Sequence, residues 1–250
     1  MKSVTLFRKD SHRWLAFGLD RDRPQNLTDT LQYAVSGPDG TMLIDPGGME
    51  VFPAMLSALT RELPVEDVST ILITHQDPDA ASSLPLWRRV CRGDVRIMAP
   101  SLLVRSLAHL DSEIAISAIP DDGQEIGLGG PVRLRLIPAH HLPAPGHLNV
   151  YDPAARILYS GTIGGTDESW DDFFVTDFDR HRARMEISHR RRMGSAKARD
   201  IWVDTVSRLD VAMVAPHGGP IVRGDDAARF VDWFGRVEIG TPLSGGRGAG

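Results

Sequence analysis

The sequence predicts an α/β fold in which two β-sheets are sandwiched between helices. Three observations carry this. Short runs rich in β-branched and aromatic residues, bounded by turn residues, recur in both halves of the chain. Segments with helical periodicity fall between those runs rather than in a block of their own. One strand-like run, residues 71–74, ends in His75-Gln76-Asp77-Pro78-Asp79, the kind of polar loop that a rigid scaffold holds in place at a site.

Taken in order, residues 3–8 and 13–19 read as strands joined by a polar turn. Residues 31–36 and 41–44 flank Gly37-Pro38-Asp39-Gly40, a hairpin signal. Asp45-Pro46-Gly47-Gly48 then turns the chain sharply, and Phe52, Met55, Leu56, Leu59 and Leu63 recur at helical spacing. Residues 70–74 form the strand that delivers His75. A helix is expected over 84–92, a strand over 95–98 and a further helix over 102–110. Strands over 114–118, 124–128 and 132–137 are separated by Asp121-Asp122-Gly123 and Gly129-Gly130. Residues 148–152 and 157–160 read as a second hairpin around Pro153. Two helices, 180–193 and 196–209, are split at Gly194-Ser195. A late strand over 211–215 and a last helix over 227–237 complete the series. Residues 1–239 are expected to form one domain. Residues 240–250, with five glycines and a proline, are expected to form a flexible tail.

A chain of 250 residues with 42% hydrophobic residues is long enough for one large core. The net charge of −5 argues against nucleic acid as a partner. Cys91 is the only cysteine, which excludes a disulfide within the chain and a thiolate metal cluster, so a reducing, cytoplasmic setting is expected. Charge at Arg8, Lys9 and Asp10 interrupts the N-terminus before any long apolar run, so no signal peptide is expected. No run approaches the 18 or so apolar residues that would span a membrane.

The chemistry concentrates in the 75–79 loop. In an extended segment alternate side chains point the same way, so His75, Asp77 and Asp79 can converge on one cation. One nitrogen and two hard oxygens suit iron or manganese better than a metal that prefers thiolates. The competing reading is a polar turn whose aspartates cap the next helix. A second feature is the basic run Arg180, Arg182, Arg184, Arg190, Arg191 and Arg192, which reads as a solvated helix face paired with nearby acids.

The order of strand, His75-x-Asp77-x-Asp79, strand pair, Ser160-Gly161-Thr162 and a late Pro216-His217-Gly218 resembles the metallo-β-lactamase fold, a four-layer αββα sandwich. Its hydrolase branch carries His-x-His-x-Asp-His; here Asp77 and Ala80 stand in place of the second and last histidines. That pattern resembles the di-iron branch, comprising stand-alone oxygen-binding di-iron proteins and the catalytic domain of flavodiiron proteins. Asp45-Pro46-Gly47-Gly48, Ile137-Pro138-Ala139-His140, Tyr151-Asp152-Pro153, His189-Arg190-Arg191 and Phe230-Val231-Asp232-Trp233 share the family's wording. The resemblance extends over residues 12–240.

The resemblance implies that His75 and Asp77 are ligands of one iron, and Asp79 and His217 of the other. It also places Pro143 where the family has a ligand histidine and Thr162 where it has a bridging aspartate. A bridging carboxylate offsets the repulsion between two cations, and a threonine cannot. The implied centre is therefore altered: His147 or His141 would have to replace the lost histidine, while His140 and His189 stand beside the ligands. The cofactor expected is iron, one ion or two, with zinc or manganese ranking below it and a metal-free state as the remaining alternative. The expected ligand is O2 or NO, bound or reduced. A metal-poor module binding a small organic ligand is the alternative, followed by a mononuclear metal-dependent hydrolase. A homodimer is implied by the resemblance alone, and the sequence names no redox partner.

Overall fold

The computed structural model describes residues 1–240, so the tail expected beyond Gly240 lies outside the described residues. The first sheet has seven strands in the order β1 (Lys2–Lys9), β2 (His12–Gly18), β3 (Gln32–Gly37), β4 (Gly40–Ile44), β5 (Val68–Leu72), β6 (Arg96–Pro100) and β7 (Ile116–Ile119). Its first four strands pair antiparallel as hairpins, and β4 to β7 pair in parallel. The parallel half needs crossovers, which are helical: α1 (Phe52–Glu62), α2 (Pro78–Ala81), α3 (Leu84–Val90) and α4 (Val104–Leu107). The second sheet has six strands, β13 (Val222–Arg223), β12 (Met213–Pro216), β11 (Ile157–Gly161), β10 (Leu148–Asp152), β9 (Arg133–Pro138) and β8 (Gln124–Gly127), in that spatial order. Only β11 and β12 are parallel in it. Helices α5 (Phe178–Arg192), α6 (Ala196–Val206) and α7 (Asp225–Arg236) follow.

Three apolar clusters show how these parts stack. Trp14, Tyr33, Ile44, Leu134, Val150 and Tyr159 join the two sheets face to face. Phe17, Leu43, Met55, Leu59, Ile71 and Trp87 seal the outer face of the first sheet against α1 and α3. Leu158, Met185, Trp202, Val214, Phe230 and Phe234 seal the second sheet against α5, α6 and α7. The order is helices, sheet, sheet, helices, the four-layer arrangement expected, with β2, β10 and β11 buried along nearly their whole length.

One local expectation differs from the structure, and one short strand lies outside the expected series. The helix expected over 102–110 is instead a 3-10 turn, Ser101–Leu103, followed by the single-turn α4. Pro100 directly precedes it, and only Leu103 and Leu107 are buried there, too few apolar anchors to hold a longer helix. The short strand β13 was not foreseen, because two residues carry no period.

Candidate metal centre

The two sheets bring their strand ends together at one edge. Strand β5 runs into Ile73-Thr74-His75, β11 into Thr162, β12 into His217, and β10 starts just after His147. Backbone hydrogen bonds tie these ends to one another: Leu148 N donates to Thr74 O at 3.2 Å, His217 N to Gly161 O at 2.7 Å and Leu31 N to His217 O at 2.7 Å. The site is therefore built on the rims of rigid sheets.

His75, Asp79 and His217 converge. Their ligand atoms all lie within 4.8 Å of one another, and both imidazoles are buried. Metal–ligand bonds of about 2.0–2.2 Å place two ligand atoms of one ion at most about 4.4 Å apart, so a trio gathered within 4.8 Å is near the span that one ion bridges. The imidazole rings of His75 and His217 lie edge to face at 5.1 Å. Asp77 lines the same small cavity, of about 40 Å³, together with Thr162 and Arg192. Asp77 occupies the N-cap position of α2, yet its carboxylate makes no capping hydrogen bond, so capping does not explain it.

The tautomers of the two imidazoles are set from behind. His217 Nδ1 donates to the Leu31 carbonyl at 3.1 Å, and His75 Nδ1 faces Asp45 Oδ2 at 3.3 Å. In both rings Nε2 is left as the lone-pair nitrogen, buried and without a hydrogen-bond partner among the described residues. Two orphaned imidazole nitrogens beside two half-buried carboxylates are costly without a cation and apt with one. The donor set of nitrogen and hard oxygen fits iron.

Asp45 is the residue that sequence reading takes only as part of a turn. It is fully buried, sits at a left-handed φ of 44°, and accepts from Thr74 N at 2.8 Å, from the Thr74 hydroxyl and from the Tyr159 hydroxyl. Burial alone would push its carboxyl up, but His75, His217 and the Thr74 hydrogen bond bring it down to about 2. Burial likewise opposes charge on His75, yet Asp45, Asp77 and Asp79 together raise it. A carboxylate–imidazole pair of this kind orients a ligand and raises its basicity. A non-glycine residue with positive φ directly after a strand is the geometric signature; the Asp-Pro-Gly-Gly spelling alone does not reveal which side chains it reaches.

The remaining histidines behave differently. His147 is buried with its ring 5.1 Å from that of His75, but its Nε2 is engaged by Thr162 N at 3.3 Å and the Thr162 hydroxyl at 3.4 Å. Gly161, at φ 61°, permits that approach, since a Cβ there would lie 2.4 Å from His147 Nε2. Burial, with His75 and His217 adding to it, holds His147 well below the usual imidazole range. His141 is exposed at φ 63° and is not brought to the cavity. Pro143, joined to Leu142 by a cis peptide bond, lies in the loop that carries both. His140 bonds the Asp121 carbonyl through Nε2 at 2.9 Å and accepts from Gly146 N through Nδ1 at 3.1 Å. His189 donates to the Met185 carbonyl at 2.7 Å and accepts from Gly164 N at 3.0 Å, anchoring the loop that bears Thr162 to α5.

Known proteins agree with this architecture. A family model described as "ODP family beta lactamase" matches residues 28–219. A chemotaxis sensor ODP from T. denticola, solved in an apo state, is 32% identical, with 96% of each chain covered and a TM-score of 0.85. A structure titled as a peroxy diiron species of chemotaxis sensor ODP matches with the same identity and TM-score, over 96% of this chain and 97% of that one. A mutant flavo di-iron protein from Thermotoga maritima, at 20% identity and TM-score 0.79 over 94% of this chain and 60% of that one, shares the fold. A type A flavoprotein, fprA of Rhodobacter capsulatus, is 28% identical over 207 residues, 79% of this chain and 46% of that protein. The chain spans less than half the length of the curated relatives it matches. With its metallo-β-lactamase layers, its clustered histidines and aspartates and these matches over most of its length, the chain belongs to the ODP beta-lactamase family.

Proposed function

We propose that this chain is a non-haem iron protein that takes O2 or NO at an iron held by His75, Asp79 and His217, with Asp77 at its side. The observation that carries this is the pair of orphaned Nε2 atoms on His75 and His217 facing Asp79 across a cavity of about 40 Å³. On this measure about 10–15 Å³ holds one water, so the space admits a diatomic molecule. Similarity to a chemotaxis sensor ODP solved as a peroxy diiron species supports iron and an oxygen ligand.

Bound iron would supply an open coordination position and a one-electron couple. The chain's own residues do the rest. Asp45 keeps the proton of His75 on Nδ1, and the Leu31 carbonyl keeps that of His217 on Nδ1.

We read the site as holding one iron firmly rather than two. The positions that would complete a second ion are Thr162, which is neutral, and His147, whose Nε2 faces the Thr162 amide. Two protein ligands without a bridging carboxylate hold a divalent ion loosely.

The test is NO titration of ferrous-loaded protein followed by electron paramagnetic resonance. A half-integer-spin signal that saturates at one NO per chain is expected; no signal with iron present would reject the reading.

A further inference from the structure

Arg192 stands where the metal cavity opens. It is the last residue of α5, and it lines both the inner cavity of about 40 Å³ and an outer hollow of about 630 Å³. Four residues are shared by the two spaces: Thr28, Asp77, Asp79 and Arg192. Among the described residues Arg192 is the one cationic side chain on the wall of the inner cavity.

Its charge is only partly spent. Arg192 donates to Asp167 Oδ1 from Nε at 3.0 Å and from Nη2 at 2.7 Å, and Arg191 reaches Asp167 Oδ2 at 3.5 Å. All three side chains are substantially exposed, so the pairing is screened and labile. Asp167 holds two guanidinium groups and can neutralise one. The backbone beneath is fixed independently of this pair, because His189 binds Gly164 N and so pins the loop to α5. The side chains can therefore exchange partners without moving the loop.

Once Asp77 and Asp79 face a cation, Arg192 is a positive charge left over at the mouth. A neutral diatomic molecule gains little from it. A small anion gains a charge-assisted hydrogen bond. We propose that Arg192 selects for a small inorganic monoanion at the metal position, with Asp167 as the competing carboxylate that limits how strongly it does so. This rests on the iron reading above and adds a ligand class to it.

The two variants Arg192→Met and Asp167→Asn pull in opposite directions, which separates selection from loss of folding. The probes are azide and NO, titrated separately into the iron-loaded protein and followed by absorption and by calorimetry. Arg192→Met is expected to weaken azide binding about tenfold, and Asp167→Asn to tighten it severalfold, while NO affinity changes less than about twofold in either. Arg192→Lys should recover part of the loss, since it restores the charge without the two-pronged geometry. Equal azide affinities in the parent and both variants overturn the proposal, and so does NO binding that shifts in step with azide binding. If the iron-loaded parent takes up NO but no azide, the anion proposal alone falls. If it takes up neither, the iron reading falls with it.

Discussion

The two sides of the candidate metal centre are built differently. On one side His75 and His217 keep an Nε2 lone pair free, with Asp77 and Asp79 facing them and Asp45 buttressing His75 from behind. On the other, at Pro143 and Thr162, the nearby histidines spend most of their nitrogens on the protein: His147 Nε2 on the Thr162 amide, with its Nδ1 buried and without a partner, His140 on Asp121 and Gly146, His189 on Met185 and Gly164. Both halves are rich in histidine, so composition does not separate them. What separates them is whether an unpartnered nitrogen meets a carboxylate across the cavity, as those of His75 and His217 do with Asp79.

The sharpest break in that comparison comes from the furnished half. His217→Ala and Asp79→Ala should each lower bound iron from about one per chain to near zero, because two ligands hold a divalent ion poorly; mass spectrometry of the desalted protein measures it. Unchanged iron in both variants would show that the ion sits elsewhere.

Rebuilding the substituted half is the converse. Thr162→Asp combined with Pro143→His should raise the count toward two irons per chain, since it restores a carboxylate between the positions and a further imidazole. Iron counted in the double variant decides it, and a count that stays at one would mean that the loop path, not the ligand identity, limits the second position.

Support from behind comes next in size. Asp45→Asn keeps the shape but removes the charge that faces His75 Nδ1, and should weaken ferrous binding about 10- to 100-fold. Competition against a chromophoric chelator reads this directly.

A smaller effect concerns pH. Burial holds His189 down to about 4, against 6.5 for a free imidazole. The unfolded chain therefore takes up a proton between those values that the folded chain refuses, so this residue makes stability rise with pH across about 4 to 6.5. Acidifying from pH 7 to 5 should cost about 2 kcal/mol through His189 alone. Urea unfolding of the metal-free protein at both pH values, against His189→Gln, isolates it; equal losses in the two proteins would refute the assignment. Smallest of all, His141→Ala should leave iron content, NO binding and stability unchanged, because its side chain is exposed and outside the cavity.

The same comparison explains what could be read from the chain. His75, Asp77 and Asp79 were legible because alternation on an extended loop is a local rule, whereas His217 came only from the resemblance of Pro216-His217-Gly218 to the family's wording. The four layers were legible from alternating strand and helix periods. The role of Asp45 was not, because its carboxylate acts on Thr74, 29 residues away, and on Tyr159, 114 residues away. Nor could spacing choose between His141 and His147. Which of them approaches depends on the path of the loop and on Gly161, whose missing Cβ lets the His147 ring come close. Helix-capping by Asp77, a sound local alternative, is not used by the fold.

On the proposed reading one side of the centre binds iron and the other does not. Its most direct test is iron per chain after anaerobic ferrous loading and desalting, by mass spectrometry against a quantitative protein assay. One iron per chain is the predicted result. Two would show that His147 and Thr162 complete a second position despite their hydrogen bonds, and none would show that the orphaned imidazoles of His75 and His217 serve something other than a metal.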